Sequence, residues 1–290
     1  MPAVTAADAA AAMAPPSAAA VMARAAHENF PVATRLLAPA EREHLLAIYG
    51  YARLVDDIGD EAPGDRGALL DWVAAELDAI YAGEQPTHAL MVRLAATVRA
   101  CTIPRSPLDR LVAANRADQV VTRYADFPAL LRYCDLSAAP VGELVLHAFG
   151  CATPERIALS DRVCAGLQVT EHLQDVAEDL AAGRIYLPRA DMTACGATED
   201  HLRAPSPGPE LRAVMALEAE RARELLAAGI PLGRSLPGRP AFAVAGFVAG
   251  GRVALDALEA AGWDVLGRRP RPSKTALAIG TFRALAKMRR

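Results

Sequence analysis

Residues 168–188 read QVTEHLQDVAEDLAAGRIYLP, a stretch of helix-forming composition that ends with Gly183 and Pro188. Four acidic residues lie within it, at positions 171, 175, 178 and 179. Asp175 and Asp179 are four residues apart, so a helix places them on the same face about one turn apart. Because like charges at this spacing destabilise an isolated helix, the acidic face indicates a binding function.

A second acidic motif, YGYARLVDDIGDE at 49–61, repeats the spacing with Asp56 and Asp60. Carboxylates are the ligands that Mg²⁺ prefers, and the ion often bridges them to substrate phosphates. Two such helices that face each other across a bundle are expected to hold Mg²⁺ against a diphosphate. A solvated acidic surface is the alternative. The apolar sequence around each motif and the nearby Arg53 and Arg184 favour the metal site.

The composition excludes several other classes of protein. The 290 residues are 53% hydrophobic, which is enough for a sizeable core. Eight basic residues and no acid follow position 267, which leaves 23 basic residues against 34 acidic ones elsewhere. An acidic body of this kind argues against nucleic acid as a partner. The five cysteines show no CxxC spacing, which predicts reduced thiols of a cytosolic protein rather than disulfides or a zinc site.

Helix-forming residues dominate, and alternating β-branched runs are almost absent, so the sequence predicts a single all-α domain. We expect an Ala-rich flexible extension at 1–25, the helical domain at 26–270 and a basic tail at 271–290. The extension lacks the basic start of a secretory signal, and no apolar run is long enough to span a membrane. The expected helices are 40–58, 66–81, 88–101, 106–121, 126–150, 153–181, 208–229 and 239–261.

Both motifs, in this order and at this separation, resemble those of the squalene/phytoene synthase family, and the resemblance runs from about 27 to 268. The matched residues are Tyr49, Arg53, Asp56 and Asp60 in the first motif, and Gln168, Asp175, Asp179, Gly183, Arg184, Tyr186 and Pro188 in the second. Between them, DQVVTRY and YCDLSAAPVGEL match the family's central helices and place Asp118 and Tyr133 in its active site. Near the end, GWDVLGRR puts Arg268 at a diphosphate-binding position.

The resemblance implies an isoprenoid synthase helical bundle with a central apolar cavity, and two or three Mg²⁺ ions bound with the diphosphate of a prenyl substrate. It implies these metal ligands: Asp56, Asp60, Asp175, Asp179 and Glu171. The family usually has asparagine where this chain has Glu171, which either binds metal, repels the diphosphate or lies at the surface. Tyr133 either assists proton handling near the leaving diphosphate or packs in the core. The implied substrate-binding residues are Tyr49, Arg53, Asp118, Gln168, Arg184, Tyr186 and Arg268.

Finer features resemble one branch of the family, the bacterial hydroxysqualene synthases of hopanoid biosynthesis. The segment ENFP, with Asn29 and Phe30 as further substrate-binding residues, resembles the entry segment of that branch. Gln174 replaces the usual arginine of the condensing enzymes, and Gly251 lies where many relatives have tyrosine. The branch converts presqualene diphosphate and water to hydroxysqualene. It needs no NAD(P)H, and the sequence has no glycine-rich dinucleotide fingerprint.

Two other functions stay open at this point. One is condensation of two prenyl diphosphates to presqualene diphosphate or phytoene, and the other is a non-catalytic isoprenoid-binding or assembly protein. The tail at 271–290 is either a basic amphipathic segment on an anionic membrane surface or a solubilising tail. We therefore expect a cytoplasmic enzyme, with contact to the inner face of the membrane and to neighbouring squalene-pathway enzymes as open alternatives.

Overall fold

The computed structural model of the chain describes residues 14–24, 37–267, 279–280 and 284. Within these residues the regular structure is helical, and an isolated bridge between Arg123 and Ile185 is the only strand-like pairing. The predicted all-α fold class is confirmed. The helices are α1 Ala18–Arg24, α2 Pro39–Asp60, α3 Arg66–Ala82, α4 Ala89–Cys101, α5 Ser106–Asp118, α6 Phe127–Ser137, α7 Ala139–Ala148, α8 Pro154–Gln174, α9 Val176–Ala181, α10 Arg189–Ala194, α11 Glu199–Leu202, α12 Pro209–Ala228, α13 Ile230–Ser235 and α14 Gly238–Ala260.

Local sequence signals set many of the helix boundaries. The Asp65 carboxylate caps α3 by accepting a hydrogen bond from the Ala68 amide at 3.0 Å. The Thr153 hydroxyl caps α8 in the same way through the Arg156 amide at 3.3 Å. Gly83 ends α3 in the left-handed region, at φ +82°, where only glycine is free of strain. The helix breaks that we expected at proline and glycine residues are found between helices in the structure.

Two of the expected helices are each divided in the structure. The helix expected at 126–150 is α6 and α7, which are separated at Ala138. Pro140 has no amide hydrogen and fits only in the first turn of a new helix. The helix expected at 153–181 is α8 and α9, which are separated at Asp175. That break falls inside the acidic run, where carboxylates one turn apart disfavour a continuous helix.

The chain divides into two compact units by its internal contacts. The first contains residues 1–120 and 143–152, and the second contains residues 121–142 and 153–290. The domain boundaries expected at positions 26 and 271 stay predictions.

In the first unit, α2 packs against α1, α3, α4 and α5. Leu54 and Ile58 are completely buried on α2, one helical turn apart on its apolar face. Tyr51 is also completely buried, and its hydroxyl donates a hydrogen bond to the Leu108 carbonyl at 2.8 Å. This bond satisfies the polar end of a core tyrosine, so burial of the ring carries little polar cost.

Residues 18–24 differ from the expected flexible extension, because they form α1 and pack against α2. Val21 is completely buried, and the Arg24 guanidinium lies 2.8 Å from the Glu61 carboxylate and 3.2 Å from that of Asp57. The alanine-rich sequence gave no local sign of this packing, since one buried valine and one ion-pairing arginine secure the helix through distant partners.

In the second unit, α8 packs against α6, α12, α13 and α14. Two glycines allow this close packing. A Cβ at Gly166 would lie 2.9 Å from Leu226 Cγ, and a Cβ at Gly251 would lie 2.9 Å from side-chain atoms of Leu167 and Leu226. Gly251 is the position where the resemblance expects tyrosine in many relatives, and leucine side chains fill that space here.

Among the described helices, α14 alone has the length and apolar composition that crossing a membrane requires. One such helix is weak evidence, because a core helix passes the same test. Val248, Ala249 and Leu255 are buried on α14, and the helix packs against α8, α12 and α13. Phe242 and Phe247 are exposed on it. This mixture of buried and exposed faces is that of a helix on the side of a bundle.

A buried charge cluster joins α10 to α12 in the second unit. The Arg221 guanidinium binds Asp191 through both carboxylate oxygens, at 2.7 and 3.0 Å, and Glu218 at 2.7 Å, and it lies 4.6 Å from the ring centre of Phe127. Glu218 is 1% exposed. Burial raises the pKa of Glu218 to about 8; Arg221 opposes the shift, and the Asp191 carboxylate adds to it. Glu218 is therefore largely protonated at neutral pH.

As pH rises, the wild type is expected to lose stability because Glu218 gives up its proton. Glu218→Gln is expected to abolish this loss. The folded-state pKa of Glu218 lies above its ordinary value, so its proton stabilises the fold below pH 4.5 and this contribution disappears as pH rises toward 8. Between pH 5 and 8 the wild type should lose up to about 3 kcal/mol that the variant keeps. Urea unfolding at several pH values measures this. Parallel pH dependence of the two proteins would contradict it.

Candidate active site

The first acidic motif lies at the C-terminal end of α2, in the first unit. The last five residues of the helix include Asp56, Asp57 and Asp60. Asp60 is the last helical residue, and it is exposed. The helix dipole is negative at this end, so each carboxylate is unfavourable by about 0.3–1 kcal/mol. A cation near these side chains would offset that cost.

Asp56 is held by a polar network with α5. The Asn115 side-chain amide donates to Asp56 Oδ1 at 3.1 Å, and the Gln119 amide donates to the carbonyls of Gly59 and Asn115 at 2.9 Å each. Burial raises the pKa of Asp56 to about 7; the Asn115 hydrogen bond opposes the shift, and the Asp60 charge adds to it. The network fixes the Asp56 carboxylate in place without neutralising its charge.

Arg53 is paired with Asp57 on the next turn of α2. The distance from Arg53 Nε to Asp57 Oδ1 is 2.8 Å, and Arg24 reaches the same oxygen at 3.2 Å. Burial raises the pKa of Asp57, and both arginines oppose the shift. Asp57 therefore places the Arg53 guanidinium beside the first motif. The role of Arg53 in binding substrate stays a prediction.

Two other predicted substrate-binding residues belong to this unit. Tyr49 lies on α2 one turn before Arg53 and is half-buried, as is Asp118, the last residue of α5. α5 also carries Asn115, the hydrogen-bond donor to Asp56. The first unit thus brings the predicted residues of the first motif and Asp118 onto two packed helices.

The second acidic motif lies where α8 meets α9, in the second unit. Asp175 is the junction residue, and its carbonyl accepts the Asp179 amide at 2.8 Å, so the two residues keep a one-turn spacing despite the break. Glu171 is exposed one turn earlier. Burial raises the pKa of Asp179 to about 7, and Asp175, Glu171 and Glu178 add to the shift, while Arg184 opposes it.

A tight turn after α9 brings Arg184 back toward Asp179 and Tyr186 back against His172. Gly183 has φ +82°, and the Arg184 amide donates to the Asp179 carbonyl at 2.8 Å, which closes the end of the helix. The Ile185 amide then donates to the Thr122 carbonyl at 3.0 Å. The GRIYLP pattern is therefore explained by a glycine turn followed by a segment paired with the chain at 122–125.

The second unit also contains a compact group of aromatic rings. The rings of His172 and Tyr186 are stacked with centroids 3.7 Å apart and an 11° interplanar angle. Tyr133 lies 5.5 Å from Tyr186 and 6.1 Å from His172, and Tyr124 joins the group. Tyr133, predicted near the leaving diphosphate, is therefore packed beside Tyr186, and both readings of its role stay open.

His172 is the main residue that sequence analysis missed. The Gln168 amide nitrogen lies 3.3 Å from His172 Nε2, and Asp179 Oδ2 lies 3.9 Å from His172 Nδ1. Burial, together with the nearby Arg184 charge, lowers the pKa of His172 to about 3. The four-residue spacing from Gln168 was a usable signal. Asn115 and Tyr124 were also missed, and no local pattern marks them.

The remaining predicted residues lie outside the described residues. These are Asn29, Phe30 and Arg268, together with most of the tail at 271–290.

The described residues contain no cluster of three or more His, Cys, Asp or Glu side chains placed to hold a metal ion. Each acidic motif nevertheless offers hard oxygen donors at one-turn spacing, with one carboxylate whose pKa is raised to about 7. Mg²⁺ is usually held by one or two carboxylates, waters and substrate phosphates rather than by a complete protein cage. The donor set therefore fits Mg²⁺ that arrives with a diphosphate.

A family model for squalene/phytoene synthase matches residues 23–276. The chain belongs to this family. Squalene/phytoene synthases process prenyl diphosphates, and the sequence resemblance is thereby confirmed.

Relatives with different named activities within the squalene/phytoene synthases are similar to this chain. The chain is 37% identical to a hydroxysqualene synthase of Rhodopseudomonas palustris over 71% of this chain and 70% of the relative. It is 31% identical to a phytoene synthase of Mycobacterium tuberculosis over 72% of this chain and 70% of the relative. The crystal structure of squalene synthase HpnC from Alicyclobacillus acidocaldarius superimposes with a TM-score of 0.79 at 42% identity, over 83% of this chain and 91% of that one. The helical isoprenoid synthase fold is therefore established.

Proposed function

We propose that this member of the squalene/phytoene synthase family is a hydroxysqualene synthase, which converts presqualene diphosphate and water to hydroxysqualene and diphosphate. The observation that carries the proposal is the pair of matching acidic motifs, in which Asp56 and Asp60, and Asp175 and Asp179, keep a one-turn spacing, with half-buried carboxylates at Asp56 and Asp179. The choice of this reaction within the family is supported by the greater identity to a hydroxysqualene synthase than to a phytoene synthase.

The acidic motifs are proposed to bind the metal that accompanies the diphosphate. Each motif provides its own carboxylates: Asp56 and Asp60 in the first unit, and Asp175 and Asp179, with Glu171 as an additional ligand, in the second. When bound, Mg²⁺ withdraws electron density from the diphosphate oxygens and so favours departure of the leaving group. Asn115 holds Asp56 in a fixed position, which lowers the cost of ordering that ligand when substrate binds.

Basic and aromatic side chains are proposed to bind the leaving diphosphate and the prenyl chain. Arg53 and Arg184, with Arg268 from outside the described residues, neutralise the charge that develops on the leaving diphosphate. Tyr133 is proposed to assist proton handling near the leaving diphosphate, and Tyr186 to contribute to substrate binding. Apolar surroundings exclude bulk water until one water adds to the rearranged cation. This overall reaction neither gains nor loses electrons, which is why no NAD(P)H is proposed.

Condensation of two prenyl diphosphates is the second candidate, and the identity to a phytoene synthase favours it. The leucine-filled space at Gly251 and the presence of Gln174 before Asp175 are the features that set this chain apart from the condensing pattern. The cytoplasmic location, the membrane contact of the tail and the neighbouring pathway enzymes remain predictions.

Incubation with presqualene diphosphate and Mg²⁺, without nicotinamide, is expected to give hydroxysqualene. Mass analysis of the lipid product, with inorganic diphosphate release measured in parallel, tests this. Asp175→Ala should abolish both signals, and chelation of the metal should do the same reversibly. Consumption of farnesyl or geranylgeranyl diphosphate, without use of presqualene diphosphate, would support the condensing alternative. Inertness toward all three substrates would support the non-catalytic alternative and direct attention to Glu171.

A further inference from the structure

His172 occupies an unusual position in the second unit, because it touches parts of three separate segments. It lies on α8, its ring is stacked on Tyr186 after the Gly183 turn, and its Nδ1 faces Asp179 on α9. The side chain is buried, at 8% exposed. A packing role would be served equally well by an apolar ring, so the two nitrogens of His172 require a separate explanation.

The contact with Gln168 determines which ring nitrogen carries the hydrogen. An amide nitrogen donates only, so the Gln168 Nε2 at 3.3 Å requires His172 Nε2 to be the acceptor. In the neutral ring the hydrogen is then on Nδ1. Asp179 Oδ2 then lies 3.9 Å from the nitrogen that carries the hydrogen. The opposite amide orientation would turn the Nδ1 lone pair toward a carboxylate, which is repulsive.

The 3.9 Å separation is longer than a direct hydrogen bond, but a small cavity lies beside the two groups. It has a volume of about 10 Å³, is lined by His172, Asp179 and Tyr186 among others, and has room for about one water molecule. A short rotation of Asp179 or a single bridging water would join the Nδ1–H to the carboxylate.

We propose that His172 is a positioning residue, whose Nδ1–H orients the Asp179 carboxylate toward Mg²⁺ while Gln168 fixes the tautomer. This inference rests on the proposed metal-binding role of Asp179. A neutral donor suits the task, because it fixes the direction of a carboxylate without competing with the metal for its charge. Outer hydrogen-bond partners of this kind typically change metal affinity or activity about 10–100-fold when they are removed.

Three substitutions of His172 separate positioning from packing. His172→Phe keeps a ring to stack on Tyr186 but has no donor. His172→Asn places an amide nitrogen close to the position of Nδ1, and His172→Gln places its amide near Nε2 instead. The proposal expects the Mg²⁺ concentration at half-maximal rate to rise about 10-fold in the Phe and Gln variants. The Asn variant should remain closer to wild type, and kcat at saturating Mg²⁺ should change less than this in all three.

Two measurements without turnover keep this result independent of which prenyl substrate the enzyme uses. Calorimetric titration with Mg²⁺ and inorganic pyrophosphate should show the same order of affinities. Long-range nitrogen–proton NMR correlations of ¹⁵N-histidine-labelled protein, assigned by loss of the signal in His172→Phe, should show the Nδ1–H tautomer. An Nε2–H tautomer, or equal Mg²⁺ affinity in the Phe, Asn and wild-type proteins, would overturn the proposal. Failure to make hydroxysqualene would leave both measurements interpretable.

Discussion

Asp56→Asn and Asp179→Asn are each expected to lower turnover about 10³-fold while the folded protein remains at least as stable as wild type. Each substitution keeps the shape of the side chain but removes the charge that is proposed to hold Mg²⁺ with the diphosphate. Electrostatic stabilisation of a developing charge by one well-placed group is commonly worth about 10²–10³ in rate, and loss of a metal ligand adds to this.

The expected gain in stability has the same physical origin as the loss of activity. Burial raises the pKa of both carboxyl groups to about 7, which means that the fold disfavours their charged forms when no cation is bound. A neutral amide avoids this cost, and active sites commonly combine function with local instability in this manner. Asn115 is still able to donate to the amide oxygen of Asn at position 56.

Steady-state rates at saturating Mg²⁺ and substrate, together with thermal unfolding without ligand, measure both effects. Asp200→Asn is the matched control, because the Asp200 side chain is 94% exposed on α11; the same chemical change there should leave the rate unaltered, and loss of its exposed ion pair with Arg203 should cost less than about 1 kcal/mol. A loss of activity accompanied by a large fall in melting temperature would show that these carboxylates support the fold. Near-normal activity would remove them from the proposed metal site.

Local signals in the sequence predicted the long helices, although the helices expected at 126–150 and 153–181 are each divided and three short helices between 189 and 235 were not expected. Caps at Asp65 and Thr153, and the glycine at 83, act through hydrogen bonds within a few residues, so the sequence alone contains the information. The one-turn spacing of Asp175 and Asp179 is likewise local, and it persists across the break between α8 and α9.

Features that depend on distant partners were beyond sequence reasoning. His172 gains its role only when the Gly183 turn brings Tyr186 back against its ring. The burial of Val21 depends on the packing of α1 against α2, and the alanine-rich sequence around it looks like a flexible extension. Asn115 is 59 residues from Asp56 along the chain, and nothing in the intervening sequence marks the pair.

Gly59→Ala is expected to destabilise the protein by about 2–4 kcal/mol and to weaken catalysis. A Cβ at position 59 would lie 1.9 Å from Asn115 Oδ1, 2.8 Å from its Cγ and 3.1 Å from its Cβ. Asn115 is buried and held by hydrogen bonds to Asp56 and to the Leu111 carbonyl, so it cannot move away freely. Overpacking of about 1–3 kcal/mol and a broken buried hydrogen bond of similar size then add together.

Gly246→Ala is the matched control, since it also replaces a helical glycine but has no atom within 4 Å of the new Cβ. It should be neutral or stabilise α14 by up to about 1 kcal/mol. Adding Asn115→Ala to Gly59→Ala should recover part of the lost stability by removing the clash, so the two changes should be non-additive. Catalysis should not recover in the double variant, because Asp56 still lacks its donor. Thermal unfolding and turnover of five proteins test this: the wild type, Gly59→Ala, Asn115→Ala, the double variant and Gly246→Ala. If Gly59→Ala were as stable as Gly246→Ala, the inference that a close contact between α2 and α5 positions Asp56 would be wrong.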